Sequence, residues 1–270
     1  MIPLLGRLLG FVAGSLLRIR RRLVEDAMAR AGIADPSRQA RAMYASLGRG
    51  VFELLWLAIA PRARREAFLE SVVLDATPDG PCVLAASHTG NWEAAAAAAA
   101  RTRRVAMVAK PFSWRAFDAF CTYLRKRLGV EVIRPDGAMA AARAVLRAGG
   151  SIAMPVDQVP NRAAHGVPVE FLGAPVLVDR APFVVAKRAG VPLLVIAASG
   201  SHRVEVLRRI DVDDVAEAAR EATAALEAFV RRHPASWMWL HRRWRAPRDR
   251  VGTRPWTTRS SSQDAVSRAA

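Results

Sequence analysis

Short apolar runs alternate with helical segments over most of the chain, and this alternation constrains the fold more than any other feature. Cys82–Ala86 follows a turn rich in proline and glycine and is predicted to be a buried strand. Further strands are predicted at 105–109, 130–133, 152–156, 193–198 and 204–210. The helices predicted around them span 92–101, 114–128, 138–147, 180–189 and 215–232. Such alternation is typical of an α/β domain with a largely parallel sheet.

Two helices are predicted before the first of these strands, so that amino-terminal helices precede the sheet. One spans 37–60, with Ser37 as its N-cap and Pro61 ending it; the other spans 62–69. We expect an α/β protein whose mostly parallel central sheet, flanked by helices, forms a single domain over 36–247. Residues 1–35 are expected to be a membrane-associated helical segment and 248–270 a disordered basic tail.

The amino terminus predicts an attachment to a membrane surface. Residues 2–17 are apolar apart from Arg7 and Ser15, and four arginines follow within residues 18–22. A secretory signal places its positive charges before the apolar run, and this run is short for a spanning helix. A helix lying in the membrane plane, with its arginines on anionic headgroups, fits this pattern better. The alternative is an ordinary first helix packed on the core.

The charge and the cysteines narrow the classes of partner and cofactor. A net charge of +17 favours acidic partners, which are nucleic acid, anionic lipid or an acidic protein. The chain has no window of about 20 apolar residues, which excludes a protein that spans the membrane many times. Cys82 and Cys121 lack metal-ligand spacing and are interpreted as reduced core residues of a cytosolic fold. We expect neither a metal site nor a bound cofactor.

A histidine and a carboxylate flank the end of the first predicted strand. His88 follows that strand, at a position where open α/β sheets bind their ligands. A histidine there can act as a general base near neutral pH. Glu93, one turn into the next helix, can accept the other ring N–H and hold the imidazole in place. If the substrate supplies a hydroxyl, that hydroxyl can attack a thioester directly and no serine or cysteine nucleophile is needed.

The spacing between His88 and Glu93 is not unique in this sequence. His165 and Glu170 have the same spacing, but they lie in a loop that leads into an extended segment. Only the first pair lies at a turn from a strand to a helix. The structural context, and not the spacing, therefore favours His88.

The segment from His88 to Glu93 resembles the H-x4-D/E motif of the lysophospholipid acyltransferase superfamily. Its Gly-Asn-Trp-Glu form is similar to that of the lipid A late acyltransferases, the lauroyl and myristoyl transferases. Further segments resemble this branch in the same order along the chain, at 110–111, 124–130, 155–158, 166–173, 186–192 and 233–244. The ordered set, over about residues 40–247, is more specific than any one motif.

This resemblance implies an acyltransferase that moves a fatty acyl chain from an acyl carrier protein thioester, or from acyl-CoA, to a membrane glycolipid such as a lipid A precursor. His88 would be the general base and Glu93 its partner. Arg125 would hold an anionic group of the acceptor or stabilise developing charge. The other substrate-binding candidates are Thr89, Gly90, Asn91, Trp92, Lys110, Asp157 and Gln158.

Several of these residues also have simpler interpretations. Trp92 can be structural and pack the turn, and Arg125 can be a charge that favours the end of a helix. Asp157 and Gln158 can be ordinary residues at the end of a strand. The carboxy-terminal tryptophans and arginines form either a membrane-interface belt or part of the core; they are Trp237, Trp239, Trp244, Arg242 and Arg243.

The resemblance and the charge together imply the location and the partners. We expect a monomer at the cytoplasmic face of the bacterial inner membrane, attached peripherally or shallowly, with an acidic acyl carrier protein and anionic lipid as partners. An inactive relative that binds the membrane surface or the acyl carrier is the first alternative. Nucleic-acid binding, based on charge alone, is disfavoured because the sequence has no recognised nucleic-acid-binding motif.

Overall fold

The computed structural model describes residues 2–76 and 78–245. Its helices are α1 (Ile2–Phe11), α2 (Arg21–Arg30), α3 (Pro36–Ile59), α4 (Arg62–Glu70), α5 (Trp92–Ala100), α6 (Arg115–Arg127), α7 (Ala138–Arg147), α8 (Ala181–Ala189) and α9 (Val215–Arg232). Its strands are β1 (Val73–Leu74), β2 (Cys82–Ala86), β3 (Val105–Val108), β4 (Val130–Ile133), β5 (Ser151–Pro155), β6 (Gly166–Phe171), β7 (Ala174–Asp179), β8 (Leu193–Ser199) and β9 (Arg203–Ile210). The predicted α/β class is confirmed.

The central sheet has seven strands in the order β1-β9-β8-β2-β5-β3-β4. Five of these strands, from β8 to β4, run parallel to one another, while β9 is antiparallel to β8. β2 and β5 lie side by side at the centre although about seventy residues separate them. Their pairing runs from Cys82 with Ser151 to Ala86 with Pro155, so each residue of β2 faces the residue 69 positions later.

The first helix packs against the third through glycines. A Cβ on Gly10 would lie 2.2 Å from the Tyr44 carbonyl oxygen, and one on Gly48 would lie 2.4 Å from the Gly6 oxygen. The small residues therefore let the two backbones approach closely, while leucines such as Leu4 and Leu8 stay exposed. The amino-terminal segment is thus both packed on the protein and apolar on its outer side.

The second helix belongs to the main core. Val24 and Met28 are fully buried in the same apolar cluster as Ile152 of β5 and Phe183 of α8. Packing of α2 in the main core does not locate a domain boundary, and the division of the chain at residue 35 stays a prediction. Among the described residues, α3 alone is long and apolar enough to cross a membrane, and 28% of its most apolar eighteen-residue stretch is buried in the protein. Length and composition by themselves do not make α3 a spanning helix.

The bounds predicted from the sequence for the helices and central strands agree with the observed bounds to within a few residues in nearly every case. There are specific exceptions. α3 begins at Pro36, and its N-cap is Asp35, whose side chain accepts the Arg38 N–H, so the prediction of Ser37 as the cap is wrong. The hairpin of β6 and β7 was anticipated only as an extended segment, and the short edge strand β1 was missed. The tail predicted over 248–270 lies outside the described residues.

Both cysteines and most of the carboxy-terminal tryptophans are part of the interior. Cys82 and Cys121 are free and buried, as predicted. Trp237 and Trp239 have no exposed surface and pack edge to face, with ring centroids 4.8 Å apart. Of the two interpretations of this aromatic segment, the core is therefore the correct one.

Candidate active site

The site lies beyond the carboxyl ends of the two central strands. His88 follows β2 by two residues and Asp157 follows β5 by two residues, and their numbers differ by the same 69 as the paired residues of the two strands. The extended pairing therefore places the two residues opposite each other. Asp157 accepts two hydrogen bonds from His88, at 2.7 Å from the backbone N–H and 2.9 Å from ring Nδ1.

Asp157 is enclosed by donors. Its side chain has no exposed surface, and its second oxygen also accepts the indole N–H of Trp237 at 3.0 Å. Burial alone would raise the pKa of this carboxyl. The facing imidazole and the hydrogen bonds from His88 outweigh burial and hold the pKa well below its ordinary value. Asp157 is therefore an ionised acceptor at neutral pH, and it fixes the position of the His88 ring.

This carboxylate leaves His88 able to act as a base. Burial opposes its charged form, but the attraction of Asp157 and the hydrogen bond at Nδ1 prevail and raise the pKa of the imidazole above 6.5. Because the ionised carboxylate can only accept, the Nδ1 proton belongs to His88 and the free lone pair lies on Nε2. The amide nitrogen of Gln158 lies 3.3 Å from that Nε2 and lines the same cavity.

Glu93 has a different partner from the one that its spacing predicted. It lies in the first turn of α5 and accepts two hydrogen bonds from the Arg125 guanidinium near the end of α6, one of them from Nε at 2.9 Å. Both side chains are about nine-tenths buried. No hydrogen bond joins Glu93 to His88 in the described part of the chain. Glu93 acts on the imidazole only through its charge, which raises the pKa of His88 less than Asp157 does.

Asn91 connects the site to α3. Its side-chain oxygen caps α5 by accepting the Ala94 N–H at 3.0 Å, and its amide donates to Glu53 at 2.9 Å. Glu53 is 1% exposed and also pairs with Arg49 at 2.7 Å. Asn91 borders the cavity, but both ends of its amide are occupied by the protein. The geometry supports a positioning role for this predicted substrate-binding residue.

Thr89 and Gly90 shape the turn between β2 and α5. The Thr89 hydroxyl is buried and accepts the Ala198 N–H at 2.8 Å. Gly90 has a φ of +50°, and a Cβ there would lie 2.3 Å from the Gly200 carbonyl oxygen. Glycine is therefore required both by the left-handed backbone and by the close approach. Of these two predicted substrate-binding residues, only Gly90 borders the cavity.

The carboxy-terminal segment holds His88 from the other side. The Met238 N–H donates to the His88 carbonyl at 2.9 Å. The rings of Trp92 and His241 contact the imidazole edge to face, with centroids 5.1 and 4.9 Å away. Burial lowers the pKa of His241 to about 4, so this second histidine is neutral. Trp92 thus packs against the turn, in agreement with its simpler interpretation, and it also lines the cavity.

The three groups His88, Asp157 and His241 are of metal-ligand type, and one ligand atom of each lies within 4.8 Å of the other two. However, both oxygens of Asp157 already accept hydrogen bonds from His88, and one also accepts from Trp237. The bond to His88 Nδ1 also uses the ring atom closest to the carboxylate. The arrangement fits an acid–base pair better than a set of free ligands.

A cavity of about 1110 Å³ opens next to His88. One side of it lies between α5 and the central sheet. Trp92, Ala95, Ala96 and Ala99 face it from α5, at the spacing of one helical face. Strand residues close the opposite wall, and they are mostly apolar: Leu84, Ala86, Met107, Ala153, Leu194 and Ile196. The alanines leave room that larger side chains would fill.

The other side of the cavity is polar, and its cations outnumber the carboxylates Asp136 and Asp179, which also line the cavity. Lys110 donates to the Asn161 side chain at 3.0 Å, and burial lowers the pKa of its amine, although Asp179 partly offsets this effect. Three arginines line the same side, and none forms an ion pair with another described residue; they are Arg162, Arg180 and Arg188. An anionic group would find unpaired positive charge here.

The second histidine–glutamate pair of the sequence does not form a site. His165 ends a short 3₁₀ turn at the cavity, whereas Glu170 is an exposed residue of β6 opposite Pro175. Val167 and Val169 of this strand are buried, so the alternation sends Glu170 to the solvent face. The extended conformation of the segment around Glu170 agrees with the prediction.

Sequence reasoning missed three features of the site. It named Asp157 and Gln158 as pocket residues but did not pair them with His88, and it did not single out Glu53 or His241. The available signal was a polar residue directly after each of two buried strands. That signal becomes specific only when the strand order makes β2 and β5 neighbours.

The fold and this site define an α/β protein with a hydrogen-bonded histidine–carboxylate pair above a cavity that is apolar on one side and cationic on the other. The model of the bacterial lipid A biosynthesis acyltransferase family matches residues 6–246. The chain belongs to this family and is an acyltransferase. No curated protein matches the chain.

Proposed function

We propose that this acyltransferase moves a fatty acyl chain from a thioester to a hydroxyl group of a lipid A precursor or a similar membrane glycolipid, with His88 as the general base. The observation that carries the proposal is the His88–Asp157 pair, whose free Nε2 lies at the cavity. Membership of the family supports a lipid A-type acceptor.

The chemistry requires one proton to be taken up and then returned. Nε2 of His88 accepts the proton of the acceptor hydroxyl while that oxygen attacks the thioester carbonyl carbon. The tetrahedral intermediate collapses and breaks the carbon–sulfur bond. The imidazolium then protonates the departing thiolate, which restores the neutral base. Asp157 stabilises the imidazolium between these steps, because the buried carboxylate accepts its Nδ1 proton at 2.9 Å.

The two carboxylates have separate tasks in this proposal. Asp157 orients His88, the task that the sequence motif assigns to Glu93. Glu93 holds Arg125 at the cavity wall through two hydrogen bonds. Arg125 can then stabilise the negative charge that develops on the thioester oxygen. In this proposal His88 and Glu93 both serve catalysis, and Glu93 does so through Arg125.

The two sides of the cavity match the two substrates. The apolar side, under the alanine face of α5, suits the acyl chain, because burying each methylene there contributes about 0.8 kcal/mol. The cationic side near Lys110 and Arg180 suits an anionic glycolipid headgroup. The thioester would lie between them, next to His88. Gln158 can donate to an oxygen of either substrate once it leaves Nε2.

The net charge of +17 supports an acidic acyl carrier protein as the bearer of the thioester, with acyl-CoA as the alternative donor. We place the reaction at the cytoplasmic face of the inner membrane, where such a carrier is available. No cofactor takes part in the proposed steps. We propose a monomer, since one chain supplies every group of the site.

The proposal is tested by mass spectrometry of membrane lipids from cells with and without the gene, and from cells that express His88→Ala. We expect one acyl chain to be absent from a glycolipid in both the deletion and the variant. In purified enzyme, loss of the base should lower the rate by about 10²–10⁴-fold. An unchanged lipid profile on deletion, or near-normal turnover by folded His88→Ala, would refute the proposal.

A further inference from the structure

The loop before α6 and the helix itself expose a row of large aromatic side chains. Trp114, Phe117, Phe120 and Tyr123, spaced three residues apart, are 71, 41, 38 and 59% exposed. We call these four residues the α6 aromatic row. Phe112 extends it, because its ring contacts Phe117 edge to face with centroids 4.9 Å apart. The rings of Trp114 and Phe117 are nearly parallel. Several large aromatic side chains exposed on one element usually mark an interaction site.

Cations accompany this row. Arg115, Lys126 and Arg127 are all exposed on α6. None of them forms an ion pair with another described residue, and Arg127 donates only to the Tyr123 hydroxyl, at 3.3 Å. Aromatic rings beside free basic residues suit the boundary between anionic headgroups and acyl chains, where tryptophan and tyrosine are enriched.

The row adjoins the mouth of the active-site cavity. Phe112 and Phe117 line that cavity, and so does Val51 of α3, which is itself 42% exposed. Val51 begins a second exposed apolar face on α3, continued at the helical spacing by Leu55 and Ile59. Two exposed apolar faces on different helices therefore meet at one opening. A bilayer that contacted both would face the cavity directly.

The aromatic cluster around Trp237 is not available for this role. Trp237 and Trp239 are completely buried, so these two rings cannot form part of an interfacial belt. Within the described residues, the exposed large apolar side chains other than Val73 lie on α1, at positions 16–19 after it, on α3 and in the α6 region. The exposed apolar surface is thus concentrated on few elements.

We propose that the α6 aromatic row is a second membrane contact, separate from the amino-terminal helix, that docks on an anionic bilayer and presents the cavity mouth to lipid. The bilayer is favoured over a carrier protein because the row is aromatic at its centre and is continuous with the apolar rim of the cavity. The inference goes beyond the proposed function and does not depend on which hydroxyl is acylated.

The binding test compares the full chain with the triple variant Trp114→Ser, Phe120→Ser, Tyr123→Ser, none of whose residues lines the cavity. Co-sedimentation with phosphatidylglycerol-containing vesicles should weaken about tenfold, since three interfacial side chains are lost. Val73→Ser is the control, because Val73 is also an exposed large apolar side chain, 53% exposed but on β1. It should bind vesicles as the wild type does.

A second measurement keeps the test decisive if α1 dominates binding. Brominated lipids in the vesicles should quench part of the wild-type tryptophan fluorescence, and Trp114→Phe should lose that part while still binding. Equal quenching of the two proteins would overturn the proposal. So would a triple variant that binds vesicles normally but has lost affinity for acyl carrier protein in solution, which would make the row a carrier-docking surface.

Activity separates this inference from the proposed function. The triple variant should acylate an acceptor in detergent micelles within about twofold of wild type, but should be about tenfold slower on the same acceptor in vesicles. If the wild type transfers no acyl chain in either form, the proposed function fails, while the quenching result still decides the membrane contact. Equal loss in micelles and vesicles would contradict the docking role.

Discussion

Two buried carboxylates lie at the site, and each is hydrogen-bonded to a basic side chain from a distant part of the chain. Asp157 accepts from His88 at 2.9 Å, across two neighbouring strands. Glu93 accepts from Arg125, across the first turn of α5 and the last turn of α6. Glu93 is five residues from His88 in the sequence, yet the carboxylate bonded to the imidazole is 69 residues away.

Sequence spacing and strand register therefore select partners by different rules. A separation of five residues across a turn brings two groups into the same region but does not orient them to form a hydrogen bond. Parallel pairing of β2 and β5 does orient His88 and Asp157 toward each other, since it fixes which residues lie opposite each other at the strand ends. The partner of His88 is therefore a property of the sheet, and the partner of Glu93 is a property of helix packing.

Replacing the strand-end carboxylate should have the largest effect. We expect Asp157→Asn to lower kcat/KM by about 10²–10⁴-fold, because the neutral amide no longer stabilises the imidazolium or selects its tautomer. The variant must first be shown to be folded, by circular dichroism and thermal unfolding, since Trp237 also donates to this residue. Activity within threefold of wild type in a folded variant would remove Asp157 from the mechanism.

Breaking the other pair should cost both stability and activity, to a smaller extent. Glu93→Gln leaves the Arg125 guanidinium buried without its counter-ion, and we expect a loss of about 3 kcal/mol in the free energy of unfolding. The double change Glu93→Gln, Arg125→Met should recover much of that stability but not the activity. If turnover returns with stability, the pair is structural and Arg125 does not stabilise developing charge.

The pH dependence distinguishes the two carboxylates through the pKa of His88. Burial disfavours the imidazolium, but Asp157 raises the pKa above 6.5, and the base must be unprotonated to act. Activity should therefore fall as the pH drops through a pKa above 6.5, and folded Asp157→Asn should move this limb to lower pH. Glu93→Gln should move it less. An equal shift in both variants would contradict the assignment of Asp157 as the main partner.

The same shift has a consequence for folding. Because the folded-state pKa is raised, protonated His88 contributes stability that is fully present below the unfolded pKa and is lost as the pH rises through the folded value. The melting temperatures of the wild type and of His88→Gln, measured at pH values on both sides of the pKa of His88, should differ most at the acidic values. A constant difference would show that the proton makes no contribution.

The second histidine–glutamate pair should give the smallest effect. We expect His165→Ala, Glu170→Ala to retain acyl transfer within about tenfold, because Glu170 is exposed on β6 and only His165 borders the cavity. A change in acceptor preference would fit the position of His165 on the cavity wall. A loss as deep as that of His88→Ala, in a folded protein, would show that His165 belongs to the catalytic site.

The order of strands and helices could be predicted from the amino-acid sequence alone. Period and turn residues are local signals, so β2, β5 and α9 were located within a residue or two, and the polar residues after strand ends were visible as candidates. The turn around Gly90 was likewise evident, although the close approach to Gly200 that makes glycine necessary was not.

The contacts between these candidates, and the aromatic surface that is exposed, depend on how the elements pack. The strand order makes Asp157 the neighbour of His88, and α6 packing gives Glu93 to Arg125. In amino-acid composition, the segment near Trp239 resembles the aromatic row of α6. The tryptophans of the first are buried in the core, whereas the side chains of the second are exposed. Pairing between distant segments and burial depend on all elements at once, and no local pattern in the chain encodes them.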